Sequence, residues 1–223
     1  MQDLLEWFDY YLLDKGEQPG LWVEIQTNQG QWRLEDRYPP EGMTTLALDL
    51  GGSLMNVGGT TSILPNGATG PVYETEPLEE DIWIAGLPRL HIDVTTATVG
   101  GQIYALLEDC NENGSCIHIG HAIMDLRYHE GGTNEQTWLP IIETINAKME
   151  FFSLDAQVSA GHTIKLSLAS TGEDYLPAST SSVVTIQQGA GSNLLLDLID
   201  PNEKILFEPP MCTHSACTDW TNQ

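Results

Sequence analysis

Basic residues are scarce in this sequence. Its 223 residues include 8 Lys and Arg against 32 Asp and Glu, which gives a formal net charge of −24. Proteins bind nucleic acids and anionic membrane surfaces largely through Lys and Arg, because these residues neutralise phosphate charge. The composition therefore argues against nucleic acid or a membrane as a partner. Such an acidic surface suits a halophilic or marine protein, and an ordinary acidic secreted protein explains it equally well.

Long apolar runs are missing as well. No stretch approaches the roughly 18 consecutive apolar residues that a transmembrane helix needs. Residues 1–7 also lack the basic residues followed by an apolar run that begin a secretory signal peptide. We therefore predict neither a membrane-spanning helix nor a signal peptide in this sequence.

The Gly-x-Ser-x-Gly motif, which presents the nucleophile of an α/β-hydrolase, is also missing. Ser53 is followed by Met55, and Ser170 is preceded by Leu168, where the motif requires glycine. A triad assembled from distant parts of the chain stays open as an alternative, because triads form in space rather than in sequence. We predict no catalytic residue, and no motif points to a cofactor.

The six histidines are scattered, and the closest two are His118 and His121. In a regular strand, residues three positions apart point to opposite faces. The two rings would then be poorly placed to bind one metal ion. We therefore expect the histidines to be structural or surface residues.

The four cysteines form two close pairs, Cys110 with Cys116 and Cys212 with Cys217. An even number in close pairs favours local disulfides, and hence an extracellular or cell-surface location. The competing interpretation is a metal site made of four thiolates. The spacings of five and four intervening residues suit a zinc knuckle poorly.

The segment between the first two cysteines resembles half of a calcium-binding loop. Asp109, Asn111 and Asn113 place oxygen-bearing side chains at alternate positions before Gly114. The twelfth position is Gly120, where such a loop requires a bidentate Glu. Asn-Gly is also a strong hairpin signal. We favour a hairpin closed by a disulfide and keep the calcium site as the weaker alternative.

Residues 3–14 are predicted to form a helix that is apolar around much of its girth. One face carries Leu4, Leu5, Phe8, Tyr11 and Leu12, and Trp7, Tyr10 and Leu13 lie off that face. Such a helix needs cover on more than one side. We expect one face to rest on the rest of the chain and the other to meet a partner. The predicted interface residues are Leu4, Trp7, Phe8, Tyr10, Tyr11 and Leu13.

After residue 20 the sequence changes to short apolar-polar alternations separated by turn signals, and residues 51–77 are rich in loops. This pattern predicts an all-β sandwich or jelly roll. The predicted strands are 21–26, 31–33, 44–50, 90–94, 102–108, 116–126, 149–154, 163–169, 182–187 and 193–198.

Five segments, in order, resemble the C-terminal domain of X-Pro dipeptidyl-peptidases and cocaine-esterase-like serine hydrolases. The resemblance extends from about residue 5 to about residue 196 and departs from the family at Tyr38, where a Trp is usual, and at the cysteine pairs. The segments are Trp7-Phe8-Asp9, Gln31-Trp32-Arg33 with Pro39-Pro40, Leu46 to Leu54, Asp81 to Val94, and Ala160 to Ser170.

The resemblance implies a jelly-roll β-sandwich, similar to galactose-binding domains, preceded by one N-terminal helix. In that family the domain packs on an α/β-hydrolase domain, which carries Ser, Asp and His upstream of this helix. We divide the chain into residues 1–18, similar to the end of a missing hydrolase domain, residues 19–200, the sandwich, and residues 201–223, a tail pinned by its cysteines.

Three functions are compatible with the predicted fold. The first is a non-catalytic accessory domain that shapes the active site of a catalytic domain or chain. The second is a free-standing jelly-roll module that binds a carbohydrate or another ligand. The third is a subunit that assembles with other chains or with itself through the N-terminal helix. The candidate platform for a carbohydrate is a set of tryptophans, namely Trp22, Trp32, Trp83, Trp138 and Trp220.

Overall fold

The computed structural model describes residues 2–19, 23–65, 69–130, 136–172, 174–180, 182–200 and 206–207. These residues form one α-helix, α1 (Gln2–Leu13), a short 3-10 helix (Leu126–Tyr128) and sixteen strands. The strands are β1 (Val23–Gln26), β2 (Trp32–Glu35), β3 (Thr44–Asp49), β4 (Met55–Asn56), β5 (Ser62–Ile63), β6 (Thr69–Glu74), β7 (Ile82–Gly86), β8 (Arg89–Thr96), β9 (Gln102–Cys110), β10 (Cys116–Asp125), β11 (Ile145–Glu150), β12 (Leu154–Val158), β13 (Thr163–Ala169), β14 (Val184–Gln187), β15 (Asn193–Leu198) and β16 (Leu206–Phe207).

The strands form three sheets. The first has the order β1-β2-β16, and the second has five strands in the order β10-β9-β13-β6-β4. The third has eight strands along the path β12-β7-β15-β8-β14-β5, with β11 beside β8 and β3 beside β15. Every named strand pair is antiparallel. The prediction of an all-β sandwich preceded by one helix is confirmed.

Alternation along the strands builds the core between the two larger sheets. In β8, Leu90, Ile92 and Val94 are fully buried, whereas His91 and Asp93 point outward and are half-buried. The facing sheet buries Leu107 and Leu166 in the same apolar cluster. This follows from the period of two in a strand. Each such side chain stabilises the fold by about 1.5–3 kcal/mol relative to exposure.

The loop-rich segment 51–77 holds more regular structure than its sequence suggests, because it contains β4, β5 and β6. Two of these strands have only two residues each. β6 includes Gly70 and Pro71, which are poor strand formers. Gly70 is required by a close approach, since an added Cβ would lie 2.3 Å from the carbonyl oxygen of Leu168. The strand structure of β6 therefore depends on its pairing with β13 and not on the local propensity of its residues.

The predicted strand 149–154 is wrong as a single element. The structure ends β11 at Glu150 and begins β12 at Leu154, in the same sheet. Between them, Phe151 turns into the core and its backbone N–H donates to the carbonyl of Pro88 at 2.8 Å. An apolar run of this kind has no period that could reveal the break.

The tail predicted for residues 201–223 contributes at least one strand, since β16 pairs with β2. Cys212 and Cys217 lie outside the described residues, as do Trp22 and Trp220. In the described part of the chain, no helix has both the length and the apolarity needed to cross a bilayer.

Candidate functional site

The helix α1 exposes most of its large apolar side chains. The expectation that one face rests on the sandwich is wrong, because Leu4, Phe8, Tyr11 and Leu12 are exposed in the described chain. Tyr10 is half-buried. We call the exposed set the α1 surface, and its members, 40–66% exposed, are Leu4, Trp7, Phe8, Tyr11, Leu12 and Leu13.

Aromatic rings give the α1 surface a defined shape. The ring of Trp7 lies 4.8 Å from that of Tyr11 and 5.4 Å from that of Phe8, centroid to centroid. Tyr10 and Tyr11 pack edge to face at 4.8 Å. Such contacts add about 0.5–1.5 kcal/mol beyond burial.

The β9–β10 hairpin is closed by the predicted disulfide between Cys110 and Cys116. The Oδ1 of Asn111 accepts hydrogen bonds from the backbone N–H groups of Asn113 and Ser115, each at 3.0 Å. Asp109 is turned toward the residue that precedes β13, since its Oδ1 lies 2.6 Å from Nδ1 of His162. These two candidate calcium ligands therefore already have partners within the chain. The geometry favours the hairpin interpretation over the calcium site.

His118 and His121 do not point to opposite faces, contrary to the expectation from a regular strand. A β-bulge between His118 and Gly120 shifts the register of β10 against β9. A bulge adds one residue to one strand and so re-aims the side chains that follow it. Both rings lie on the same face, with Nε2 of His118 at 3.2 Å from Nδ1 of His121. The sequence contains no recognisable signal for this bulge beyond Gly120 itself.

A turn after β13 places a phenol against the second histidine. The backbone N–H of Tyr175 donates to the carbonyl of Gly172 at 3.2 Å, and its carbonyl accepts from Oγ1 of Thr171 at 2.8 Å. The Tyr175 hydroxyl then lies 3.0 Å from Nε2 of His121. The backbone of Gly172 packs closely against Tyr104, because an added Cβ at this glycine would lie 2.6 Å from the ring of Tyr104.

Two further aromatic rings complete what we call the histidine cluster, which consists of Tyr104, His118, His121, Phe152 and Tyr175. Phe152 lies 5.0 Å and Tyr104 5.9 Å from the ring of His121, centroid to centroid. Burial lowers the pKa of His121, and the neighbouring His118 lowers it further, while Asp174 opposes this shift. The lowered pKa favours an uncharged His121 ring around neutral pH.

A buried polar cluster, which sequence reasoning missed, joins the first hairpin to the sandwich. Arg33 is fully buried and donates through Nε to Oδ2 of Asp155 at 3.0 Å, and it also pairs with Glu35. Trp83 Nε1 donates to Oδ1 of the same Asp155 at 2.7 Å. The only signal in the sequence is that the alternation along a short strand puts Arg33 and Glu35 on the same face.

Tyr38 stands where the resembling family usually has tryptophan, and the structure explains the exchange. Its hydroxyl accepts from the N–H of Gly86 at 2.7 Å and donates to the carbonyl of Leu154 at 2.5 Å. A hydroxyl can do both, whereas an indole N–H can only donate. Burial raises the pKa of Tyr38, which keeps the hydroxyl protonated for this role.

The tryptophans do not assemble a sugar-binding platform in the described residues. Trp83 is buried beneath Arg33, and Trp32 is half-buried. Trp138 is 61% exposed at another place, with the guanidinium of Arg127 5.8 Å from its ring centre. Within the described residues, no three His, Cys, Asp or Glu side chains converge as a metal cluster.

A family model described as the X-Pro dipeptidyl-peptidase C-terminal non-catalytic domain matches residues 15–194 of the chain. No sequence of a curated protein matches. Three solved structures share the fold at low identity. They are a CocE/NonD family hydrolase from Staphylococcus aureus (12% identity, TM-score 0.66, 88% of this chain and 45% of that one), an aminopeptidase from a marine sediment thaumarchaeon (14%, 0.66, 88% and 43%) and an α-amino acid ester hydrolase (14%, 0.59, 88% and 44%). The chain thus spans less than half the length of these structures.

Proposed function

Since this chain belongs to the family of X-Pro dipeptidyl-peptidase C-terminal non-catalytic domains, we propose that it is the accessory domain of a serine hydrolase of the dipeptidyl-peptidase or esterase type. It packs on an α/β-hydrolase domain and shapes the active site there. The fold neighbours are hydrolases in which a region like this chain makes up under half of the polypeptide. That proportion supports a catalytic partner for this chain.

The α1 surface is the observation that carries the proposal. It precedes the family match, which begins at residue 15, and it resembles the last helix of a hydrolase domain. Covering one of its large apolar side chains is worth about 1.5–3 kcal/mol. An exposed cluster of this size on a folded chain marks an interface. In this proposal the interface is the one with the catalytic domain.

The extracellular or cell-surface location belongs to the same proposal. The Cys110–Cys116 disulfide supports it, because disulfides persist in oxidising compartments. Peptide mass spectrometry of the unreduced protein, isolated from its source, should find these two cysteines joined. Free thiols at both positions would argue for a reducing compartment.

Two measurements test the accessory role. The chain alone should turn over neither X-Pro p-nitroanilides nor p-nitrophenyl esters, and a fluorophosphonate probe should label no serine. A hydrolase domain encoded with this chain, expressed separately, should bind it. The double substitution Leu12→Ser/Leu13→Ser should weaken that binding at least about tenfold, since each leucine loses more than 1.4 kcal/mol of burial.

Leu176 provides the matched control, because it is a leucine even more exposed than those of α1 but lies in the turn after β13. Leu176→Ser should leave the affinity unchanged. Equal weakening by both variants, or serine labelling with turnover by the chain alone, contradicts the proposal. Self-association through α1 in place of hydrolase binding would favour an assembly subunit instead.

A further inference from the structure

The histidine cluster has the geometry of a chelate. The two nitrogens that face each other, Nε2 of His118 and Nδ1 of His121, are 3.2 Å apart. Two imidazole nitrogens bound to one tetrahedral ion at about 2.0–2.1 Å are separated by about 3.3 Å. The distance between the two nitrogens therefore suits one shared ion. Without an ion, the two nitrogens are within hydrogen-bond distance, and either ring can be the donor, depending on its tautomer.

We propose that His118 and His121 bind one divalent transition-metal ion on the outer face of the five-stranded sheet. The ion takes the place of the hydrogen between Nε2 of His118 and Nδ1 of His121. The ring that donated this hydrogen then carries its proton on its other nitrogen, so that both rings bind the ion as neutral imidazoles. Imidazole nitrogens suit zinc, copper and nickel, whereas calcium and magnesium prefer oxygen. Water, or a side chain of a partner, occupies the remaining coordination positions.

Tyr175 is the positioning residue of this site. A histidine that binds a metal through one nitrogen usually donates its other N–H to a fixed acceptor, which selects the tautomer and orients the ring. The Tyr175 hydroxyl lies 3.0 Å from Nε2 of His121, the nitrogen that faces away from His118. It can therefore accept that N–H and leave the Nδ1 lone pair for the ion.

The backbone supports the chelate independently of the rings. The bulge that turns His118 and His121 to one face includes Gly120, and a Cβ there would lie 2.7 Å from Cδ2 of Leu154. A larger residue at position 120 would therefore force the side chain of Leu154 to shift. Negative charge lies nearby, since Glu108 stands opposite His118 in the ladder, although Lys165 pairs with its carboxylate at 2.9 Å.

The experiment uses the whole chain without a histidine tag, at pH about 7.5, with NaCl and magnesium present to suppress loose binding to the acidic surface. Calorimetric titration with Cu²⁺, Ni²⁺ and Zn²⁺ should show one ion per chain, with Cu²⁺ the tightest. His118→Ala and His121→Ala should each abolish this binding step. Tyr175→Phe should weaken it about 10-fold or more while keeping the stoichiometry.

His91 is the matched control, because it points outward from β8 in the other sheet and faces Lys148 across the ladder. His91→Ala should bind the ions as the wild type does. Nuclear magnetic resonance of the wild type supplies a readout that needs no variant. Substoichiometric Cu²⁺ should broaden the ring signals of His118 and His121 and spare that of His91. Binding that survives in the double variant His118→Ala/His121→Ala, or broadening that is equal at all three rings, overturns the proposal.

Discussion

The helix α1 and the strand β13 are both rich in apolar residues at regular spacing, yet they have opposite environments. Ile164, Leu166 and Leu168 of β13 are buried in the core cluster. Leu12 and Leu13 of α1 are more than half exposed. The same side chain thus stabilises the fold in one region and stays available for a partner in the other. Periodicity tells which residues share a face, and only the fold tells whether the chain itself covers that face.

The largest difference in stability between a buried and an exposed contact is expected for two ion pairs. Asp155 holds the buried guanidinium of Arg33, whereas Glu41 pairs with Arg37 at 2.7 Å in a pair that is about 70% exposed on both sides. Asp155→Ala should lower the free energy of unfolding by about 3–5 kcal/mol, because it removes one of the two carboxylates that pair with the buried guanidinium and also the acceptor of the Trp83 N–H. Glu41→Ala should change it by about 0.5 kcal/mol or less. Urea denaturation measures the free energy of unfolding of both variants. Similar losses in the two would show that burial does not determine how much an ion pair contributes to stability.

A leucine exchanged in each region tests the same contrast for apolar contacts. Leu166→Ala leaves a cavity between the two larger sheets and should cost about 2–5 kcal/mol. Leu12→Ala removes an exposed side chain and should stay within about 0.5 kcal/mol. The two variants are compared by urea denaturation of the chain alone. A cost above about 1 kcal/mol for Leu12→Ala would mean that α1 packs against its own chain or a second copy.

The smallest expected effect is that of NaCl on the melting temperature. The net charge of −24 makes exposed charges repel one another, and the repulsion is stronger in the compact state. The melting temperature should therefore rise as NaCl shortens the Debye length from about 30 Å to about 3 Å. The Asp155→Ala variant should show the same rise, because buried charges are screened much less. A melting temperature that is flat or falls with salt contradicts this explanation.

Most strands of the sandwich could be predicted because their burial alternates. The predicted ranges 163–169 and 193–198 coincide with β13 and β15. The β9–β10 hairpin and its disulfide also follow from local signals, namely Asn113-Gly114 between paired cysteines. The strands β4 and β5 could not be predicted, because two residues carry no period and pairing partners far along the chain define them.

The candidate sites divide in the same way. The apolar character of α1 could be predicted from the sequence, but the exposure of most of its large side chains could not, since coverage depends on contacts far along the chain. The histidine cluster was invisible, because a single bulge reverses the direction of the side chains after it. The buried Arg33 was also missed, since no local pattern reveals that it meets Trp83 and Asp155, the latter 122 residues further along the chain.

By itself, the sequence determined the fold class, the family and the lack of a nucleophile motif, because these depend on alternation, segment order and residue type. The tertiary structure alone decided which polar groups meet. It brought His118 to His121 and Tyr175, and it enclosed Arg33 with Asp155. Those encounters depend on strand register and on loop paths, which are set by packing over the whole sandwich.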